Sequence, residues 1–219
     1  MKGSCFTLIA AALMLSCFNE AAQAQADSSK IELGVQFTAI RFQDITIPDA
    51  SRSFFFTRTF NRTEPGFGGR VTYNFTGAVA LDGELNYFPR DDADSGGRKS
   101  QGLLGVKAGR RTERFGLFGK ARPGFVRFNQ SLDCPRGNPF DCSTSGKTEF
   151  ALDLGGVVEL YPSRRAVVRF DFGNTLIFYK FREFVIAIDE PGGPVGRRLP
   201  LAGETKSNLQ FSIGVGVRF

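Results

Sequence analysis

The 219-residue chain contains no histidine. That absence excludes imidazole-ligated zinc, the Ser-His-Asp triad and the Cys-His nucleophile pair. Nor is there an apolar run long enough to cross a bilayer as a helix. The N-terminal run from Cys5 to Phe18 falls short of the ~20 residues such a span needs. Charge is not concentrated in one sign: 28 Lys and Arg stand against 22 Asp and Glu, a net +6. The charges are scattered, and no basic stripe marks a nucleic-acid footprint. Tryptophan is absent too, whereas Phe (24) and Gly (26) are plentiful, a vocabulary of strands and turns. With 42% hydrophobic and 23% charged residues, the chain has the composition of a folded protein.

Lys2, the apolar run and the small residues Ala22-Gln23-Ala24 form a secretory signal. Residues 1–24 are therefore expected to be a signal peptide and residues 25–219 a single domain. The alternatives are a retained anchor, which the run is too short to be, and a lipoprotein acylated at Cys17. The second fits poorly, because Leu15 occupies a position where a small residue is usual. Beyond the signal, Cys134 and Cys142 enclose Pro-Arg-Gly-Asn-Pro-Phe-Asp, turn chemistry throughout. In an exported chain, two cysteines this close in a loop predict a disulfide.

No 3.6-residue apolar period persists after the signal, but a period of two recurs eight times. Ile31, Leu33, Val35 and Phe37 open the first run, and Phe67, Val71, Tyr73 and Phe75 form the second. The third is Val79, Leu81, Leu85 and Tyr87, and the fourth Leu104, Val106 and Ala108. The fifth opens Phe115, Leu117, Gly119, Ala121 and changes phase across Pro123-Gly124, which predicts a bulge. The sixth is Phe150, Leu152, Leu154, Val158, Leu160, and the seventh Ala166, Val168, Phe170, Phe172. The eighth is Leu209, Phe211, Ile213, Val215, Val217, Phe219. Connections alternate between long (roughly ten to twenty residues or more) and tight, the pattern of an up-and-down barrel with loops at one end and turns at the other. Strands of about 9–11 residues leave room for eight, an even number that puts both termini at the periplasmic end and the long loops outside.

The polar faces decide which side meets lipid. They are rich in Gly and carry charges of both signs: Arg70, Glu84, Lys107, Lys120, Arg122, Glu149, Asp153, Glu159, Arg169 and Asp171. A soluble, lipocalin-type barrel would put such residues outside. A narrow lumen instead needs Gly for room and opposite charges to pair, so these ten residues are expected to form a bridged network that plugs the bore. Tyr73, Tyr87, Phe88, Tyr161, Phe172 and Tyr179 are expected at the membrane rims.

The runs Gly66 to Phe75 and Leu81 to Tyr87, with the end Val215-Gly216-Val217-Arg218-Phe219, resemble the small eight-stranded outer-membrane barrels of the OmpA/OmpX type. The resemblance spans nearly all of residues 25–219. It implies an all-β, eight-stranded antiparallel transmembrane barrel in the outer membrane of a Gram-negative-type bacterium. It also implies that Phe211, Ile213, Val215, Val217 and Phe219 form the signal read by the outer-membrane assembly machinery, after escort by periplasmic chaperones. The sequence ends with the barrel, so a peptidoglycan-binding domain is not expected.

Asp171-Phe172-Gly173 and Gly214-Val215-Gly216 match fragments of kinase and dinucleotide motifs, but their companion elements are missing. Glu149 and Asp153 share a strand face and could do acid–base work; pairing with Lys107, Lys120 or Arg122 is the simpler role. Lipid-editing barrels of this kind use a catalytic His, which is absent. The expected function is structural or surface-interacting, with no catalytic, cofactor or metal site and no nucleic-acid partner. Outer-membrane lipid surrounds the barrel, and the ligand of the loops is open. The rival readings are a narrow, porin-like pore and a lipid-modifying enzyme. Arg110, Arg111, Arg114, Arg164 and Arg165 crowd the short turns, where anionic headgroups would favour them.

Overall fold

The computed structural model describes residues 30–43, 62–91, 97–133, 143–180, 182–190, 193–201 and 203–219. The eight alternating runs become eight strands of one closed antiparallel barrel. They are β1 (Ile31–Phe42), β2 (Arg62–Asn74), β3 (Val79–Phe88), β4 (Lys99–Arg111), β5 (Phe115–Asp133), β6 (Ser143–Leu160), β7 (Ala166–Tyr179) and β10 (Glu204–Arg218). Each pairs with its sequence neighbour, and β1 closes on β10 in a register from Glu32↔Arg218 to Arg41↔Leu209. Ile31 and Phe219 seal the seam through reciprocal backbone bonds of 3.3 and 2.8 Å. The closed sheet itself leaves no barrel strand as an edge to pair with another chain.

Period-two alternation sorts every strand into two faces. The faces are inverted relative to a soluble protein: Leu85 is 67% exposed and Val35 65%, while Asp82 and Arg122 are at 0%. Exposed Phe, Leu, Val and Ile continue around all eight strands. In water each would forgo the ~1.5–3 kcal/mol that burying such a side chain provides. Lipid removes that deficit, and the wall is a membrane-facing one.

Three local expectations are corrected. β5 keeps its phase through Pro123 and Gly124, which pair with Leu152 and Ala151; the register shift lies instead between Phe128 and Ser131. β5 and β6 run further than the alternation suggests. They pair with each other to Asp133↔Ser143 after β4 and β7 have stopped at Phe128 and Phe150, so their connection shrinks to residues 134–142. The last long connection is not loop throughout. It holds a separate hairpin, β8 (Arg182–Glu190) and β9 (Gly193–Leu201), in register from Arg182↔Leu201 to Glu190↔Gly193.

The start of β1, the end of β10 and the short turns share one end. Asn74 N donates to Lys30 O at 2.7 Å, and Arg218 N to Arg165 O at 2.8 Å. Thr112 and Ser163 tie their own turns: their hydroxyls accept from Phe115 N and Ala166 N, each at 3.1 Å.

Candidate functional site: the charged lumen

Eight acidic side chains are buried among the described residues: Glu32, Glu64, Asp82, Glu84, Glu149, Asp153, Glu159 and Asp171. Seven basic ones accompany them, and Arg111, at 10% exposure, is the eighth. Inward positions of all eight barrel strands thus fill the bore in tiers.

The tier nearest the turns centres on Glu32 and Glu159. Arg111 donates to Glu32 at 2.9 Å and Tyr161 at 2.8 Å, and approaches Glu159 at 3.5 Å. Lys107 pairs with Glu159 and approaches Glu32 at 3.7 Å. Tyr161 donates to Glu159 at 2.7 Å, and Arg218 stacks over its ring at 4.6 Å. Tyr161 lies one residue past β6; burial, then the Glu159 carboxylate, push its phenol up, so it remains a donor.

The central tier is the most highly charged. Arg169 clasps Asp82 with both terminal nitrogens, at 2.8 and 2.7 Å, and also reaches Asp171 at 2.7 Å. Arg122 binds Asp153, Asp82 and Glu84 at 2.7–2.9 Å. Lys120 pairs with Asp171 and, at 2.8 Å, with Asp153. Thr72 donates to Asp82 at 2.7 Å.

Above it lies a tier of amides. Gln36 donates to Asn86 at 2.9 Å, Asn86 to Gln101 at 2.8 Å, and Gln101 to Gln210 at 2.9 Å. Thr175 donates to Gln210 at 2.8 Å, and Ser212 to Thr38 at 2.9 Å. Toward the loops the interior turns apolar: Ile40, Phe42, Phe88, Val126, Ala151 and Ile177 cluster, with Phe128 and Tyr179 against them. Lys99 enters this layer, bonded to both Glu64 oxygens at 2.8 Å with its ammonium 5.2 Å from the Phe42 ring.

Of the ten residues singled out from sequence, Glu84, Lys107, Lys120, Arg122, Asp153, Glu159, Arg169 and Asp171 meet in the two charged tiers. Two stand apart. Arg70 is only 6% exposed, yet its Nε and Nη2 meet no acceptor. Glu84, opposite it in the β2–β3 register, gives its carboxylate to Arg122 and Asn86 instead. Glu149 lies nearer the loops and accepts the Lys180 backbone N–H at 3.4 Å. The aromatic rim is corrected too: Phe88 and Tyr161 are buried in the bore and Tyr179 packs on its apolar layer, leaving Tyr73, Tyr87 and Phe172 on the outer face. The amide tier and Glu32, Glu64, Asp82 and Lys99 escaped sequence reasoning; Glu32 and Asp82 carry the inward phase of runs already identified, whereas Glu64 and Lys99 lie where β2 and β4 extend beyond their apolar runs into expected loops. Phe211, Ile213, Val215 and Val217 face outward on β10, and Phe219, one residue past it, is exposed as well. Cys17, Cys134, Cys142 and the signal segment lie outside the described residues.

A closed eight-stranded sheet with an apolar outer wall and a charged interior defines an outer-membrane β-barrel. The chain belongs to the outer membrane protein beta-barrel domain family, whose model matches residues 8–219. Among solved structures it is similar to the N-terminal β-barrel domain of Pseudomonas aeruginosa OprF (11% identity, 86% of this chain, 97% of that one, TM-score 0.42). It is also similar to Neisserial surface protein A (14%, 86% and 97%, 0.47) and to Ail, the attachment invasion locus protein of Yersinia pestis (15%, 88% and 100%, 0.43). No curated protein matches the sequence.

Proposed function

We propose that this protein is a closed outer-membrane scaffold that presents its long connections at the cell surface, rather than a channel or an enzyme. One observation carries the reading: ion pairs run without a break from Glu32 through Lys107, Glu159, Arg169, Asp82 and Arg122 to Glu84. An eight-stranded barrel is just wide enough for side chains to fill, and charges held this way act as a plug. The amide tier and the Phe42–Phe88 layer close the bore a second and third time. Asp153, the better placed of the two candidate acid–base carboxylates, is shared by Lys120 and Arg122. On this reading residues 1–24 export the chain, and the outward series ending at Phe219 is read by the assembly machinery. Outer-membrane lipid is the surrounding partner; no nucleic acid or cofactor is involved. Surface loops carry function in such scaffolds. The test is conductance of the purified, SDS-resistant monomer in planar bilayers. No steady steps are expected; reproducible single-channel steps would overturn the plug and promote a narrow pore.

A further inference from the structure

Two of the three short turns are basic and the third is not. Arg110, near the end of β4, and Arg114 flank or lie in the β4–β5 turn, and Arg164 and Arg165 lie in the β6–β7 turn; all four are exposed. Glu113 is the one acid on these turns, whereas the β2–β3 turn, Thr76 to Ala78, has no charge. The two basic turns are neighbours, joined by Tyr161 N donating to Arg114 O at 2.8 Å. Thr112 and Ser163 fix both backbones, so the guanidiniums project from a rigid rim. Arg114, Arg164 and Arg165 have no side-chain partner among the described residues. Directly below lie Phe115, 51% exposed, and its cross-strand partner Leu160, 42% exposed, on the lipid-facing wall. Arg110 lies on that same outer face, opposite Leu117. Apolar wall and cationic rim therefore meet along one line, the height of a phospholipid phosphate.

We infer that this rim, spanning the β4–β5 and β6–β7 turns, is a binding surface for the phosphate groups of anionic phospholipids in the periplasmic leaflet. The acyl chains lie on Phe115, Leu117 and Leu160 while the headgroup phosphate lies among the four arginines; Arg110 reaches it along the wall, its stem on lipid and its head in the interface. Apart from Lys30 beside the start of β1, the exposed cations of the described rim lie on the β4–β7 side, so the bound lipids concentrate in an arc rather than a full annulus. The inference rests on the outer wall facing lipid, which SDS-resistant folding of each variant checks separately.

The protein is reconstituted in nanodiscs of phosphatidylcholine with one-fifth phosphatidylglycerol, released gently, and its retained lipids are counted by native mass spectrometry. Wild type is expected to retain phosphatidylglycerol over phosphatidylcholine at a ratio about fivefold that of the nanodisc, the factor one arginine contributes at an anionic surface, and to lose this in high salt. Combined Arg110→Ser, Arg114→Ser, Arg164→Ser and Arg165→Ser should abolish the enrichment. Arg90→Ser with Arg98→Ser, at the opposite end, should keep it. Equal retention of the two lipids by wild type, or enrichment that survives the four turn substitutions, would overturn the inference. Should the fourfold variant fold poorly, Arg114→Ser with Arg164→Ser, both on exposed turns, decides the matter by the same measure.

Discussion

Arg122 grips Asp153 twice, with Nε at 2.9 Å and Nη2 at 2.7 Å from the same carboxylate oxygen, while its Nη1 serves Asp82 and Glu84. One guanidinium therefore links β3, β5 and β6 and hydrogen-bonds three carboxylates at once, with Asp171 of β7 a fourth at 3.6 Å. Burying such a group is costly in itself, so the pairing confers geometry more than stability. Removing it is another matter, because three acids lose a shared cation in a water-poor bore.

Arg122→Ala should therefore destabilise the barrel by ~3–5 kcal/mol, the range for breaking a buried pair on one side. The readout is the urea midpoint of the transition between heat-modifiable bands on SDS gels. An unchanged midpoint would contradict the role given to this residue. With Lys120→Ala added, the bore should leak, seen as small conductance steps where wild type shows none.

Arg70 should behave in the opposite way. It is buried, with two nitrogens unmet, and a Cβ added to Gly34 would come within 3.0 Å of its Nε. An uncompensated buried charge destabilises a fold, and an apolar residue of similar length is an improvement. Arg70→Met is expected to leave the unfolding midpoint unchanged or to raise it. A drop comparable to that of Arg122→Ala would mean that Arg70 has a partner in the folded membrane form.

Two glycines on facing strands separate tolerance from intolerance. Gly119 faces lipid on β5, and the nearest atom to an added Cβ is 3.8 Å away. Gly155, opposite Lys120 on β6, lies against the β7 backbone, where a Cβ would come 2.5 Å from the Gly173 Cα. Gly119→Val should fold and gain SDS-resistance normally, whereas Gly155→Val should fail to give the folded band. Equal behaviour of the two would refute the close approach of β6 and β7.

The third long connection carries the cysteine pair, and a disulfide between Cys134 and Cys142 is proposed for it. Closing so short a loop contributes little to a barrel already closed by strand pairing. Non-reducing peptide mapping should recover the two cysteines as one linked species, and Cys134→Ser should still fold and resist SDS. Two free thiols, or a variant that cannot fold, would defeat the proposal.

The barrel was legible because lipid outside and charge inside both obey the strand period, and Asp82, Glu84 and Asn86 against Leu81, Leu85 and Tyr87 show it at its clearest. The aromatics were harder. A phenyl ring is at home on either face, so Phe88 and Phe118 follow the strand phase into the lumen rather than the composition of the rim. The fifth run misled for a related reason: Phe125 is outside while Val126 and Phe128 belong to the apolar interior layer, so three apolar residues in four positions imitate a phase change. The hairpin of β8 and β9 left little trace, since Phe184 to Ile188 is an unbroken apolar run without alternation. Which acid meets which base could not be read at all, because pairs such as Arg169 with Asp82 join residues 87 apart.

Those distant pairings constrain how the molecule is built. Arg169 of β7 meets Asp82 of β3, Arg122 of β5 meets the same carboxylate, and Lys107 of β4 meets Glu159 of β6. None of these pairs joins adjacent strands, so none can form within a single hairpin. Hairpins entering the bilayer one at a time would carry naked carboxylates and guanidiniums into hydrocarbon. The sheet must instead curl while its concave side is still wet, and lose that water only as β1 meets β10. Closure of the seam and drying of the bore are then one event, and the ionic tiers act as a latch that engages last.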